Sequence, residues 1–118
     1  MKYNIIATRN FEKEVKKLAK KYFSLKAELA QLEIDLLNNQ PVGTPIGRNA
    51  YKIRLAVKSK GKGKSGGMRI ITYLELDIFI VDLTNIYLLT IYDKSETENI
   101  SKEELKRLID VVTTRNKR

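Results

Sequence analysis

The apolar spacing of this chain switches from a helical to a strand period near Pro41, and that switch limits the kind of domain it can form. Before it, apolar residues recur every three or four positions. Phe11, Val15, Leu18, Ala19 and Tyr22 make one stripe from Asn10 onward, with Lys and Glu on the other side. Leu25, Leu29, Leu32 and Leu36 make a second, with Ser24 placed to cap it. A tight connection near Phe23 and Ser24 then predicts a helical hairpin. Asn38-Asn39-Gln40-Pro41 ends the second helix, and Pro45 and Gly47 prolong the loop.

After that point, and up to the last helix, the period is two. Tyr51, Ile53, Leu55 and Val57 fall on one face of a strand, and Lys52, Arg54 and Lys58 on the other. Residues 68–76 form a second strand, with Arg69, Ile71 and Tyr73 sharing a face; residues 78–83 either prolong it or turn it. Residues 85–92 are apolar enough for a central strand, and Thr90, Tyr92 and Lys94 alternate onto one face at its end. Residues 3–7 read as a short strand. Ser101 and Glu104 form a capping box ahead of a last helix with Leu105, Leu108, Ile109 and Val112 as its buried stripe. The order strand, helix, helix, three strands, helix predicts a single α+β domain over residues 1–118. Its sheet is small and mainly antiparallel, and its helices pack on one face.

Charge is unevenly spread over this plan. Between Leu36 and Leu74 there is no acid but eight cations: Arg48, Lys52, Arg54, Lys58, Lys60, Lys62, Lys64 and Arg69. All six glycines and both prolines fall in the same stretch. With 23 Lys and Arg against 14 Asp and Glu, the formal charge is +9. Such polarity points to an anionic partner, and a nucleic-acid backbone is the commonest. The chain has no cysteine and no histidine, which excludes disulfides, thiolate zinc sites and imidazole chemistry. No apolar run is long enough for a signal peptide or a membrane span, so the expectation is a soluble cytoplasmic protein.

Consecutive pairing of the three later strands would gather Lys52, Arg54, Lys58, Arg69, Tyr73, Tyr92 and Lys94 on one surface. Cations that hold phosphate, beside rings that stack on unpaired bases, suit RNA. A solvated charged face whose tyrosines merely cover the sheet fits the pattern as well. The loop Lys58–Gly67 ends in Gly63-Lys64-Ser65 like a phosphate-binding loop, but Lys58 stands where the first glycine belongs and a strand follows instead of a helix. It reads as a mobile cationic hairpin loop over a polyanion, with Lys58, Lys60, Lys62 and Lys64 as contacts, or as a plain linker. Glu96 and Glu98 read as catalytic carboxylates or, more simply, as surface charges.

Three runs carry a resemblance: Tyr51-Lys52-Ile53-Arg54-Leu55, then Gly63-Lys64-Ser65-Gly66-Gly67-Met68-Arg69-Ile70-Ile71, then Tyr87-Leu88-Leu89-Thr90-Ile91-Tyr92-Asp93-Lys94-Ser95-Glu96. Together they resemble the RelE/ParE toxin superfamily, and within it the HigB-like branch. The resemblance implies a RelE-like fold and a type II toxin: a ribosome-dependent endoribonuclease that cuts mRNA in the A site and is neutralised by a cognate antitoxin. Its implied partners are mRNA on the ribosome, ribosomal RNA and that antitoxin, a helix-turn-helix protein being one candidate. Lys52, Arg54, Arg69 and Lys94 fall where such toxins place catalytic cations. The tyrosine that RelE carries downstream would fall near Ile100, so Tyr92 or Tyr73 is expected to serve instead.

Cleavage by 2′-hydroxyl attack needs a base, an acid and charge stabilisation. Without histidine, Lys52 (or Lys58) is the expected base, its pKa lowered by neighbouring cations. Arg54 and Arg69 stabilise the phosphate, Lys94 contacts phosphate or the leaving oxygen, and Tyr92 stacks on a base. No metal or other cofactor is expected. The competing expectations are a ParE-like gyrase poison and a non-catalytic basic RNA-binding domain.

Overall fold

The computed structural model describes residues 2–61, 63, 66–97 and 99–116. Lys62, Lys64 and Glu98 lie outside the described residues. The observed elements are β1 (Lys2–Ala7), α1 (Arg9–Lys21), α2 (Leu25–Asn38), β2 (Thr44–Gly47), β3 (Ala50–Leu55), β4 (Met68–Leu76), β5 (Leu83–Asp93) and α3 (Lys102–Asn116), with a 3-10 turn at Lys58–Lys60. The class is α+β. The strands form one sheet in the order β1-β5-β4-β3-β2, antiparallel except where β1 runs parallel to β5. Among the described residues no helix is long and apolar enough to cross a membrane.

The two N-terminal helices bury the stripes that their spacing predicts. Phe11 on α1 and Leu25, Leu29, Leu32 and Leu36 on α2 pack on Ile53, Met68, Ile70, Ile86, Leu88 and Ile91. Thr8 caps α1, its Oγ1 accepting the Phe11 amide at 3.2 Å. Ser24 stands at the N-cap of α2 without capping it; its hydroxyl meets Glu28 and Ser59 instead.

The expectation of helices on one face is corrected. Leu105, Leu108, Ile109 and Val112 of α3 pack with Ala50, Ile71, Tyr73, Tyr87 and Leu89, the opposite face from α1 and α2. Both faces of β4 and β5 are apolar, so both need a cover. The strand count is also corrected: β2 pairs β3 as an edge strand, despite Pro45 within it and Gly47 at its end.

A register slip in β5 sets the rest. Thr90 lies opposite Ile71 and Leu88 opposite Thr72, which leaves Leu89 as an extra residue. The groups this disturbs are taken up by α1 and its cap. Thr8 and Asn10 donate to the Leu88 and Leu89 carbonyls at 2.9 and 3.0 Å. Glu14 accepts the Thr90 hydroxyl at 2.6 Å and the Ile91 amide at 3.1 Å. Thr90 lies opposite Ile71 and Tyr92 opposite Arg69, so the two share the α3 face as the alternation predicts, and the Thr90 hydroxyl reaches Glu14 of α1 from there.

Candidate nucleic-acid interface

The strand register sets the basic row. Arg54 of β3 lies directly opposite Arg69 of β4, and Arg69 opposite Tyr92 of β5. Arg69 shares the face of Ile71 and Tyr73, and Tyr92 packs on that same α3 side. Two guanidinium residues and a phenol thus cross three strands in a line. Like charges facing each other across a strand pair destabilise it unless an anion joins them.

The three members differ in exposure. Arg54 is exposed, whereas Arg69 is 3% exposed, its Nη1 donating to the Met68 carbonyl at 3.2 Å. Burial first, and then the Arg54 charge, lower the Arg69 pKa. Tyr92 is half-buried with its hydroxyl inside, and among the described residues that hydroxyl has no partner in hydrogen-bonding geometry. Burial raises the phenol's pKa, and Arg69 and the nearby Ile100 amide only temper the rise. The phenol is therefore neutral at neutral pH, and only part of its ring is open for stacking.

Lys52 stands two residues before Arg54 on the same face of β3, and its Nζ donates to Asn99 Oδ1 at 3.3 Å. Asn99, which the sequence did not single out, thus ties β3 to the segment ahead of α3. Lys94 lies just past β5, half-buried, its amide donating to the Gly67 carbonyl at 3.2 Å. Lys58 is exposed and belongs to the 3-10 turn, not to β3; its amide donates to Glu28. Gly67 is where β3 and β4 crowd together: a Cβ there would lie 2.1 Å from the Leu55 carbonyl oxygen.

Two expected RNA contacts are corrected. Tyr73 is 9% exposed, under α3, its ring stacked on Tyr87 at 6.1 Å. Burial first, and then Glu75, push its pKa up to about 12. It also lies four residues along β4 from Arg69, about 13 Å away. Lys60 turns inward: its Nζ sits 3.0 and 3.1 Å from the two Asp93 carboxylate oxygens, with side chains 5% and 2% exposed. The ammonium also lies over the Tyr22 ring, 5.0 Å from its centre, and the Tyr22 hydroxyl donates to Asp93 at 3.0 Å. Lys60 is an anchor of the glycine-rich loop rather than a cation on offer.

No protein-family model matches the chain.

Proposed function

We propose that the chain is a RelE-like toxin of the HigB-like branch, an endoribonuclease that cuts mRNA in the ribosomal A site and is held in check by a cognate antitoxin. The observation that carries this reading is the Arg54–Arg69–Tyr92 row, in register across three strands. The row pairs an open guanidinium with a buried one. Arg69 is held by its surroundings and adds fixed positive charge beneath the open guanidinium; Arg54 reaches into solvent to meet the phosphate. Lys52, on the same strand face as Arg54, takes the 2′-hydroxyl proton as that oxygen attacks phosphorus. Lys94, beside the start of β4, meets the phosphate or protonates the departing 5′-oxygen. The part of the Tyr92 ring left open contacts the base next to the cut.

The test is primer extension on mRNA in a reconstituted translation reaction, with and without ribosomes. Cuts at A-site codons only with ribosomes, lost in Arg54→Ala, are the expected result. Intact mRNA in both tubes, from folded protein, refutes the nuclease reading. A supercoiling assay with gyrase and a binding titration with RNA then separate the gyrase poison from the non-catalytic RNA binder.

A further inference from the structure

Among the described residues, α3 is the only helix on its face of the sheet, and it leaves the strip over β1 open. One hollow there lies between β1, the start of α1 and α3, and includes Ile6, Tyr87 and Val111. A second lies between β1 and the β4–β5 hairpin, and includes Ile6, Tyr87 and Phe79. Both are lined by Ile6 and Tyr87, so they adjoin over β1 as one trough with an apolar middle and polar borders.

The hairpin end is built to present apolar groups. Asp77 accepts the Phe79 and Ile80 amides at 2.9 and 2.7 Å and the Asn85 side-chain amide at 2.9 Å. This fixes a tip on which Phe79 is 83% and Ile80 56% exposed. At the other end Val111 of α3 is 51% exposed. Exposed apolar side chains set at both ends of one hollow mark an interaction site.

The two ends of the trough also carry opposite charge. Glu75 and Asp77 border it at the hairpin. Arg9, Lys13 and Arg107 border it at the far end, against Glu12 alone among the lining acids, although Glu104 pairs with Arg107. From Leu83 to Leu89 the floor runs about 20 Å, the length of about 13 helical residues.

We propose that this trough receives an amphipathic helix of a partner polypeptide, lying along β1 with its N-terminus at the hairpin tip. The positive end of its dipole then meets Glu75 and Asp77, and the negative end meets Arg9 and Lys13. Its apolar residues recur at i, i+3 or i+4, and i+7, and sit on Ile6 and Tyr87 between Phe79 and Val111. A strand added to the free edge of β1 would leave Phe79 and Val111 in water, so the occupant is a helix. The proposal stands independently of the RNA reading.

The test selects a displayed library of amphipathic helices, about four turns long, on the immobilised full chain. The enriched peptide is then measured by fluorescence anisotropy. Phe79→Asp and Val111→Glu are expected each to weaken it about tenfold or more, while Ile34→Glu, at an exposed apolar site on α2, leaves it unchanged. A spin label on the peptide's N-terminus is expected to broaden the Ile80 amide and spare Arg9. An empty selection overturns the proposal, as does equal binding to all three variants or broadening at Arg9 instead of Ile80.

Discussion

Lys60 and Asp93 form a buried ion pair, 3.0 Å long, that ties the glycine-rich loop to the end of β5. The Asp93 carboxylate also takes the Tyr22 hydroxyl and the Ser95 amide and hydroxyl, so its oxygens are fully occupied. Removing one partner strands a buried charge. Lys60→Met or Asp93→Asn is expected to cost about 3–5 kcal/mol, and the double variant less than the sum. Urea unfolding of the four proteins measures this; a loss under about 0.5 kcal/mol in both single variants would mean the pair is solvated.

The same carboxylate predicts the acid limb of stability. Burial alone would raise its pKa, but Ser95, Lys60 and Tyr22 together hold it at about 2, against 3.8 unperturbed. A depressed carboxyl pKa stabilises the fold above the unfolded value and loses that contribution as the pH falls. About 2 kcal/mol should therefore disappear between about pH 4 and pH 2. The urea midpoint followed over that range should slope in the wild type and run flatter in Asp93→Asn.

Glu14 runs the other way. Burial raises its pKa, against the bonds from Thr90 and Ile91. A raised carboxyl pKa stabilises the fold below the unfolded value and loses that contribution as the pH rises through the folded one. Gln at this position keeps the acceptor that Thr90, Ile91 and Asn10 use. Glu14→Gln is expected to raise the melting temperature at pH 7 and to leave it unchanged near pH 4. A lower melting temperature at pH 7 would show that the charge itself supports the bulge.

Gly67→Ala places a methyl against the Leu55 carbonyl. The backbone of β3 or β4 must shift, at an expected cost of about 1–3 kcal/mol. Because Gly67 also accepts the Lys94 amide, amide exchange at Lys94 should speed up in this variant more than at Ile86 in mid-sheet.

Arg54→Ala removes an exposed cation and leaves the core alone. Binding to single-stranded RNA is expected to weaken at every sequence, and the slope of log K against log salt to fall by about 0.7, one phosphate contact. An unchanged slope would take Arg54 out of the interface.

Much of the fold was legible because burial imposes its own period. The α1 and α2 stripes and the alternation of β3 each read onto one covered face. The facing of Arg54, Arg69 and Tyr92 follows from pairing, which alternation constrains well. What was not legible depended on contacts far apart in sequence. Ile70 and Ile71 are both fully buried on opposite faces, so no alternation in β4 could tell which face α3 would take. The extra residue at Leu89 has no mark in an unbroken apolar run. Lys60 resembles its neighbouring lysines, and only Asp93, 33 residues on, turns it inward.

The pairing of β1 with β5 has a temporal side. Lys2 lies opposite Leu83 and Ala7 opposite Leu88, so β1 leaves a ribosome about 80 residues ahead of its partner. At ordinary elongation rates residues 2–7 wait roughly 5–15 s for residues 83–88. Tyr92 follows within another second. The nascent chain thus gains its fifth strand and its basic row almost together, with the synthesis of β5, and fragments that stop before β5 hold neither.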